Sequence, residues 1–190
     1  YVSQMHMRCS PYAARLLNAY NVRPIVTYRN LFDTIVSVDD MQCDWRRAPG
    51  TTVGYYFNDG LPGNFLSLDR EDRLMILAQR HTAWFLQFYM SWKKCERMGL
   101  TKPLWVSYDS DFLGDKQVLA QRVIDFLGVD GAAVIKLTNA FEDKSNGGAK
   151  RFNKGVAGRG KDMPQAVRDF ILRVADYYRD DEDLTPLVGE

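Results

Sequence analysis

The chain has 190 residues, with 25 Lys and Arg against 24 Asp and Glu, a net charge of +1, 46% hydrophobic residues and 13% aromatic ones. This length and apolar content support one domain, residues 1–190, with a substantial core. The charge balance excludes a supercharged nucleic-acid-binding tail, so no nucleic-acid partner is expected, but it leaves room for a local basic pocket. Cys9, Cys43 and Cys95 are widely spaced with no Cys-x-x-Cys pair, which predicts neither a zinc cluster nor a disulfide framework and favours a reducing, cytoplasmic setting. Charges interrupt the apolar stretches before the ~18 residues that a membrane-spanning helix needs, and no hydrophobic signal peptide leads the chain, so no transmembrane segment is expected.

In chain order, Ser10-Pro11 reads as a helix start, since serine caps and proline fits the first turn, with Ala13, Leu16, Leu17 and Tyr20 at helical spacing and Asn21 at the end. Val22 to Tyr28 is short and rich in β-branched and aromatic residues, which predicts a strand running into a helix over Leu31–Val38. Residues 41 to about 68 carry turn chemistry (Pro49-Gly50, Asn58-Asp59-Gly60, Leu61-Pro62-Gly63) among Tyr55, Tyr56, Phe57 and Phe65, a loop that either shapes a ligand site or packs down. From Asp69 to Met98 the spacing of Leu74, Leu77, His81, Trp84, Phe85, Phe88 and Trp92 predicts a long core helix, with His81 a core histidine. Pro103–Tyr108 reads as a second buried strand and Asp115–Leu127 as an amphipathic helix closed by Gly128. Residues 142–161 are glycine-rich and basic, and Pro164–Tyr178 predicts a last helix before an acidic run, Asp180 to Asp183. Strands alternating with helices imply an α/β fold with a parallel sheet.

The stretch most informative about chemistry puts Arg29 at the end of the first strand and Ser37 in the second turn of the next helix. In open α/β sheets ligands gather at the carboxyl ends of strands, and helix N-termini offer N–H groups to anions. Leu31 to Ser37 rise only ~9 Å along a helix, so a long arginine side chain and the serine hydroxyl could share one anion. The alternative is that Arg29 pairs with Asp33 and Ser37 merely packs.

Arg29, Asn30, Asp33 and Ser37 together resemble sulfotransferases that use 3′-phosphoadenosine 5′-phosphosulfate, where a strand ends in such an Arg-Asn pair and a serine follows eight positions later. The likeness extends to Phe88-Tyr89-Met-Ser-Trp92-Lys93, to Leu104-Trp-Val-Ser-Tyr108-Asp109, to Ile124-Asp-Phe-Leu-Gly128 and to Arg151-Phe-Asn-Lys154-Gly155-Val-Ala-Gly158, which is similar to the family's Arg-Lys-Gly-x-x-Gly cofactor loop. Asn153 stands where that family usually has arginine. The resemblance implies a three-layer parallel sheet flanked by helices, a P-loop-NTPase-like sulfotransferase fold. It also implies 3′-phosphoadenosine 5′-phosphosulfate as cofactor, adenosine 3′,5′-bisphosphate as product and no metal. Arg29, Ser37, Arg151, Lys154 and Gly155 would hold the 3′-phosphate side and Tyr108 the adenine. His6, 23 residues before Arg29, would be the general base on a small-molecule or carbohydrate acceptor, a task suited to a group titrating near neutrality.

The family's front strand and Pro-Lys-Ser-Gly-Thr-Thr-like loop, whose N–H groups and lysine grip the 5′-phosphosulfate, have no counterpart before Tyr1, and Gln4 stands at a second family lysine. The expectation is a domain incomplete at its N-terminus. Two other readings stay open: a non-catalytic nucleotide-binding or scaffolding module, and another phosphate-handling α/β enzyme such as a kinase relative.

Overall fold

A computed structural model describes residues 4–47, 60–143 and 155–189. The helices are α1 (Pro11–Ala19), α2 (Leu31–Arg47), α3 (Arg70–Arg97), α4 (Lys116–Leu127), α5 (Ala133–Glu142), α6 (Gln165–Asp176) and α7 (Thr185–Val188). The strands are β1 (Ile25–Tyr28) and β2 (Leu104–Ser107). The class is mixed α/β: mostly helical among the described residues, with a two-stranded parallel sheet in which Ile25 aligns with Leu104 and Tyr28 with Ser107.

The chain groups into two compact units, one of Tyr1–Arg29 with Gln87–Ala157 and one of Asn30–Leu86 with Gly158–Glu190. In the first unit, Ser10 caps α1 by accepting the Ala13 N–H at 3.1 Å, with Pro11 in the first turn. The face α1 buries differs from the sequence expectation. Ala14 is fully covered, whereas Leu16 and Tyr20 are exposed, because the helix lies on the sheet through Ala14 and Leu17. That core joins Cys9, Ala14 and Val26 to Trp92 and Cys95 of α3, and all three cysteines of the chain are buried free thiols. The Cys9 thiol is pushed up to about 12 by burial and by its hydrogen-bonded neighbour Cys95, so it is an inert packing group. On the other side of β2, Val106 packs on Leu119 and Val123 of α4, and α5 covers α4 through Val134, Leu137 and Phe141. Asp115 caps α4, and Gly128 closes it in the left-handed region at φ 64°.

β1 is shorter than the Val22–Tyr28 span the composition predicts. Pro24 has no N–H to give a ladder and contributes only its carbonyl, which accepts from Leu104 N at 3.0 Å.

The second unit is built on α2 and the residues of α3 up to Leu86. The sequence pattern ends α2 near Val38, yet the helix continues to Arg47. Asp39, only 4% exposed, is accommodated because Arg73 of α3 meets it with two hydrogen bonds, Nε to Oδ1 at 2.8 Å and Nη2 to Oδ2 at 3.2 Å. Asp40 pairs with Arg159. Phe65, one of the aromatics of the loop that either shapes a ligand site or packs down, is fully buried core. His81, expected as a core histidine, is half-buried, and burial together with the Arg80 charge pulls its pKa down to about 4.

Candidate functional site

In the first unit the parallel pairing brings the carboxyl ends of β1 and β2 side by side, so Arg29 and Tyr108 follow directly on adjacent strands. The chain leaves β2 through one π-type turn, Tyr108–Phe112, in which Leu113 N–H donates to Tyr108 O at 2.9 Å. Asp111 pins that turn: Oδ2 accepts from Ser107 N at 2.8 Å and Oδ1 from Arg122 Nη1 at 2.6 Å, while Arg122 Nη2 donates to Trp105 O at 2.9 Å. The turn thus presents Tyr108 and Asp109 to Arg29.

Arg29 is held from three sides. Its guanidinium carbon lies 4.4 Å from the centre of the Tyr108 ring, Nε donates to Asp109 Oδ1 at 3.3 Å, and Nη2 donates to Val156 O at 2.8 Å. The Tyr108 ring in turn stacks on Phe112 at 5.5 Å and 18°. Gly155, beside Val156, has φ 61°, a conformation glycine adopts without steric cost. Three sequence-predicted residues, Arg29, Tyr108 and Gly155, are therefore gathered in one place, with a cation at its centre whose side chain is 14% exposed. Asp109 was not singled out from the sequence, and the signal available was a carboxylate immediately after a strand-end tyrosine.

His6 is exposed in the same unit, on a segment tied to α3. That segment is tied down by Arg8 Nη1 donating to Gln87 Oε1 at 2.7 Å, Cys9 N to Ser91 Oγ at 3.0 Å and Trp92 Nε1 to Met7 O at 3.0 Å.

In the second unit, Asn30 caps α2 by accepting the N–H groups of Phe32 at 3.0 Å and Asp33 at 3.3 Å. Asp33, 3% exposed, accepts from Gly158 N through Oδ2 and from Gly160 N through Oδ1, both at 2.7 Å. Gly160 is required there, since a Cβ would stand 2.3 Å from Phe32 Cβ and 2.7 Å from its carbonyl carbon. Arg168 closes this clamp, donating to Gly160 O at 2.8 Å and lying 4.2 Å over the Phe32 ring. Asp33 thus anchors the glycine-rich segment, a role the sequence did not reveal. Ser37 is half-buried on α2 of this unit. Arg151 and Lys154 lie outside the described residues, as do Tyr55, Tyr56, Phe57 and the Gly50-Thr51-Thr52 run.

Among the described residues no group of three or more His, Cys, Asp or Glu could hold a metal ion, and no helix is long and apolar enough to cross a membrane. Comparison with family models, curated proteins and solved structures finds no match for this chain.

Proposed function

We propose that the protein handles 3′-phosphoadenosine 5′-phosphosulfate as a sulfotransferase, moving its sulfuryl group to a hydroxyl-bearing small-molecule or carbohydrate acceptor. The observation that carries this reading is the convergence of Arg29, Tyr108 and the Gly155–Val156 backbone at the carboxyl ends of two parallel strands. Those strand ends are where α/β sheets collect ligands. An arginine is suited to such an anion because its guanidinium presents a planar fork of donors to phosphate oxygens, and a left-handed glycine permits close backbone approach.

In this proposal Arg29 anchors the 3′-phosphate, and Tyr108 both holds Arg29 and borders the adenine. His6 accepts the proton of the acceptor hydroxyl as its oxygen attacks sulfur, and the adenosine 3′,5′-bisphosphate leaves with the bridging oxygen's electrons. Ser37, Arg151 and Lys154 enter from the sequence resemblance alone, as does the finer architecture of a three-layer, P-loop-like sulfotransferase fold, with which a parallel pair of strands linked through helices is compatible. A cytoplasmic setting belongs to the same proposal.

The test is transfer of labelled sulfuryl from the cofactor across a panel of hydroxyl acceptors. The full-length protein is expected to give labelled product, and its His6→Ala variant to lose turnover while keeping its nucleotide affinity; retained turnover in that variant would refute the role of His6. Gln4, standing where the family has a lysine that meets negative charge on the bridging oxygen, favours a second reading, a nucleotide-binding module without catalysis. That reading predicts bisphosphate binding but no labelled product with any acceptor.

A further inference from the structure

The segment that carries His6 is one-sided in charge. Residues 1–32 hold four arginines, Arg8, Arg15, Arg23 and Arg29, and no Asp or Glu. The part of α3 in the same unit, residues 87–97, adds one acid, Glu96, whose carboxylate accepts from Trp105 Nε1 at 2.8 Å and lies 3.8 Å from Lys93 Nζ. Such an imbalance favours anions, most of all where a cation is both fixed in place and unneutralised. Arg8 meets both conditions. Burial alternates along its segment: Met7 is half-buried and Cys9 buried, while His6, Arg8 and Ser10 are exposed, so His6 and Arg8 share the outer side. The inner residues are pinned, Met7 O by Trp92 Nε1 and Cys9 N by Ser91 Oγ, each at 3.0 Å. Two residues of chain span at most ~7 Å, which keeps Arg8 close to His6. The guanidinium itself is held by a neutral group: Nη1 donates to Gln87 Oε1 at 2.7 Å, and no carboxylate among the described residues pairs with it. Arg29, Arg73, Arg122 and Arg159 each meet an aspartate instead. A neutral amide orients the fork of Arg8 without cancelling its charge, and it leaves most of the five N–H donors for an incoming carboxylate.

Resting on the reading of His6 as the base that deprotonates the acceptor, we infer that Arg8 is a specificity-determining residue that selects acceptors carrying a carboxylate beside the reacting hydroxyl, the chemistry of an acidic carbohydrate. The carboxylate pairs with the Arg8 fork, and that pairing leaves the hydroxyl facing His6. The carboxylate takes no part in sulfuryl transfer and keeps its charge throughout, so Arg8 binds it equally in the ground and transition states. Binding of that kind lowers KM without raising kcat. A residue that merely held the segment to α3 would instead affect every acceptor alike, so the pattern across acceptors separates the two roles.

The experiment is transfer of labelled sulfuryl by the full-length protein to a matched pair of acceptors, an oligosaccharide containing uronic acid and the same oligosaccharide with its carboxylates methyl-esterified. Wild type, Arg8→Lys, Arg8→Gln and Arg8→Ala are compared by kcat and KM. The wild type is expected to favour the free acid in kcat/KM. Arg8→Gln and Arg8→Ala should each lower that preference about tenfold, through KM, the size of one hydrogen-bonded contact to a charged group. Arg8→Lys keeps the charge without the fork and should retain part of the preference, and added salt should shrink it in the wild type by screening an exposed pair. No labelled product from the wild type with either acceptor or any other of the hydroxyl panel would overturn the functional reading itself. Product formed without a preference for the free acid, a preference that survives in Arg8→Gln and Arg8→Ala, or an equal loss of kcat/KM for both acceptors would overturn only the role given to Arg8.

Discussion

The chain contains two carboxylate-centred clusters near its glycine-rich segment, and they are built to opposite plans. Asp33 is buried and takes two N–H groups, those of Gly158 and Gly160, at 2.7 Å each. Asp109 is partly exposed, and its Oδ1 accepts from Arg29 Nε at 3.3 Å. A desolvated carboxylate survives only when its lone pairs are satisfied, so Asp33 is a structural tie. An arginine at the carboxyl ends of two parallel strands stands where α/β sheets collect ligands. Burial, more than charge, therefore separates the carboxylate that ties this protein together from the one near its strand ends.

The largest effect should come from cutting the tie. Asp33→Ala leaves the Gly158 and Gly160 N–H groups without their acceptor and is expected to cost about 3 kcal/mol in chemical denaturation, whereas Asp109→Asn should leave stability within about 0.5 kcal/mol. Equal losses in the two variants would erase the distinction. Gly160→Ala attacks the same clamp sterically, since its Cβ would fall 2.3 Å from Phe32 Cβ, and a loss of about 2 kcal/mol is expected from the same denaturation curves.

A pH-dependent effect should come from His81. Its folded-state pKa of about 4 lies below the ordinary 6.5, so the unfolded chain binds the extra proton between those values. The stability that neutral His81 supports is complete above pH 6.5 and is lost as the pH falls towards 4; His81→Gln should flatten that part of a stability-against-pH curve. The smallest effect belongs to the pinned turn. Arg122→Ala breaks a partly exposed pair with Asp111 and should cost about 1 kcal/mol, with a modest loss of nucleotide affinity as Tyr108 and Asp109 loosen.

Much of the framework is legible in the sequence wherever a signal is local. Ser10-Pro11, Asp115 and Gly128 mark helix ends through their own backbone chemistry, and the 3- and 4-residue spacing from Leu74 to Trp92 gives α3. What the sequence hides depends on partners far along the chain. Asp39 and Asp40 interrupt the apolar pattern of α2, and only Arg73 and Arg159, 34 and 119 residues away, make a continued helix affordable. α5 escapes because Ala132 gives it no capping side chain. In the candidate site, Arg29 and Tyr108 stand out as strand-end residues, but that Asp109 would meet Arg29, and Asp33 the glycines, depends on loops that return 80 and more than 120 residues later.

The central claim is that Arg29 anchors the 3′-phosphate of a nucleotide. Calorimetric titration of wild type and Arg29→Ala with adenosine 3′,5′-bisphosphate and with adenosine 5′-monophosphate, which lacks that phosphate, tests it most directly. The account predicts clear wild-type preference for the bisphosphate and a loss of that preference in Arg29→Ala, with affinity for the monophosphate nearly unchanged. Equal wild-type affinity for the two nucleotides, or a preference that survives removal of Arg29, would contradict it.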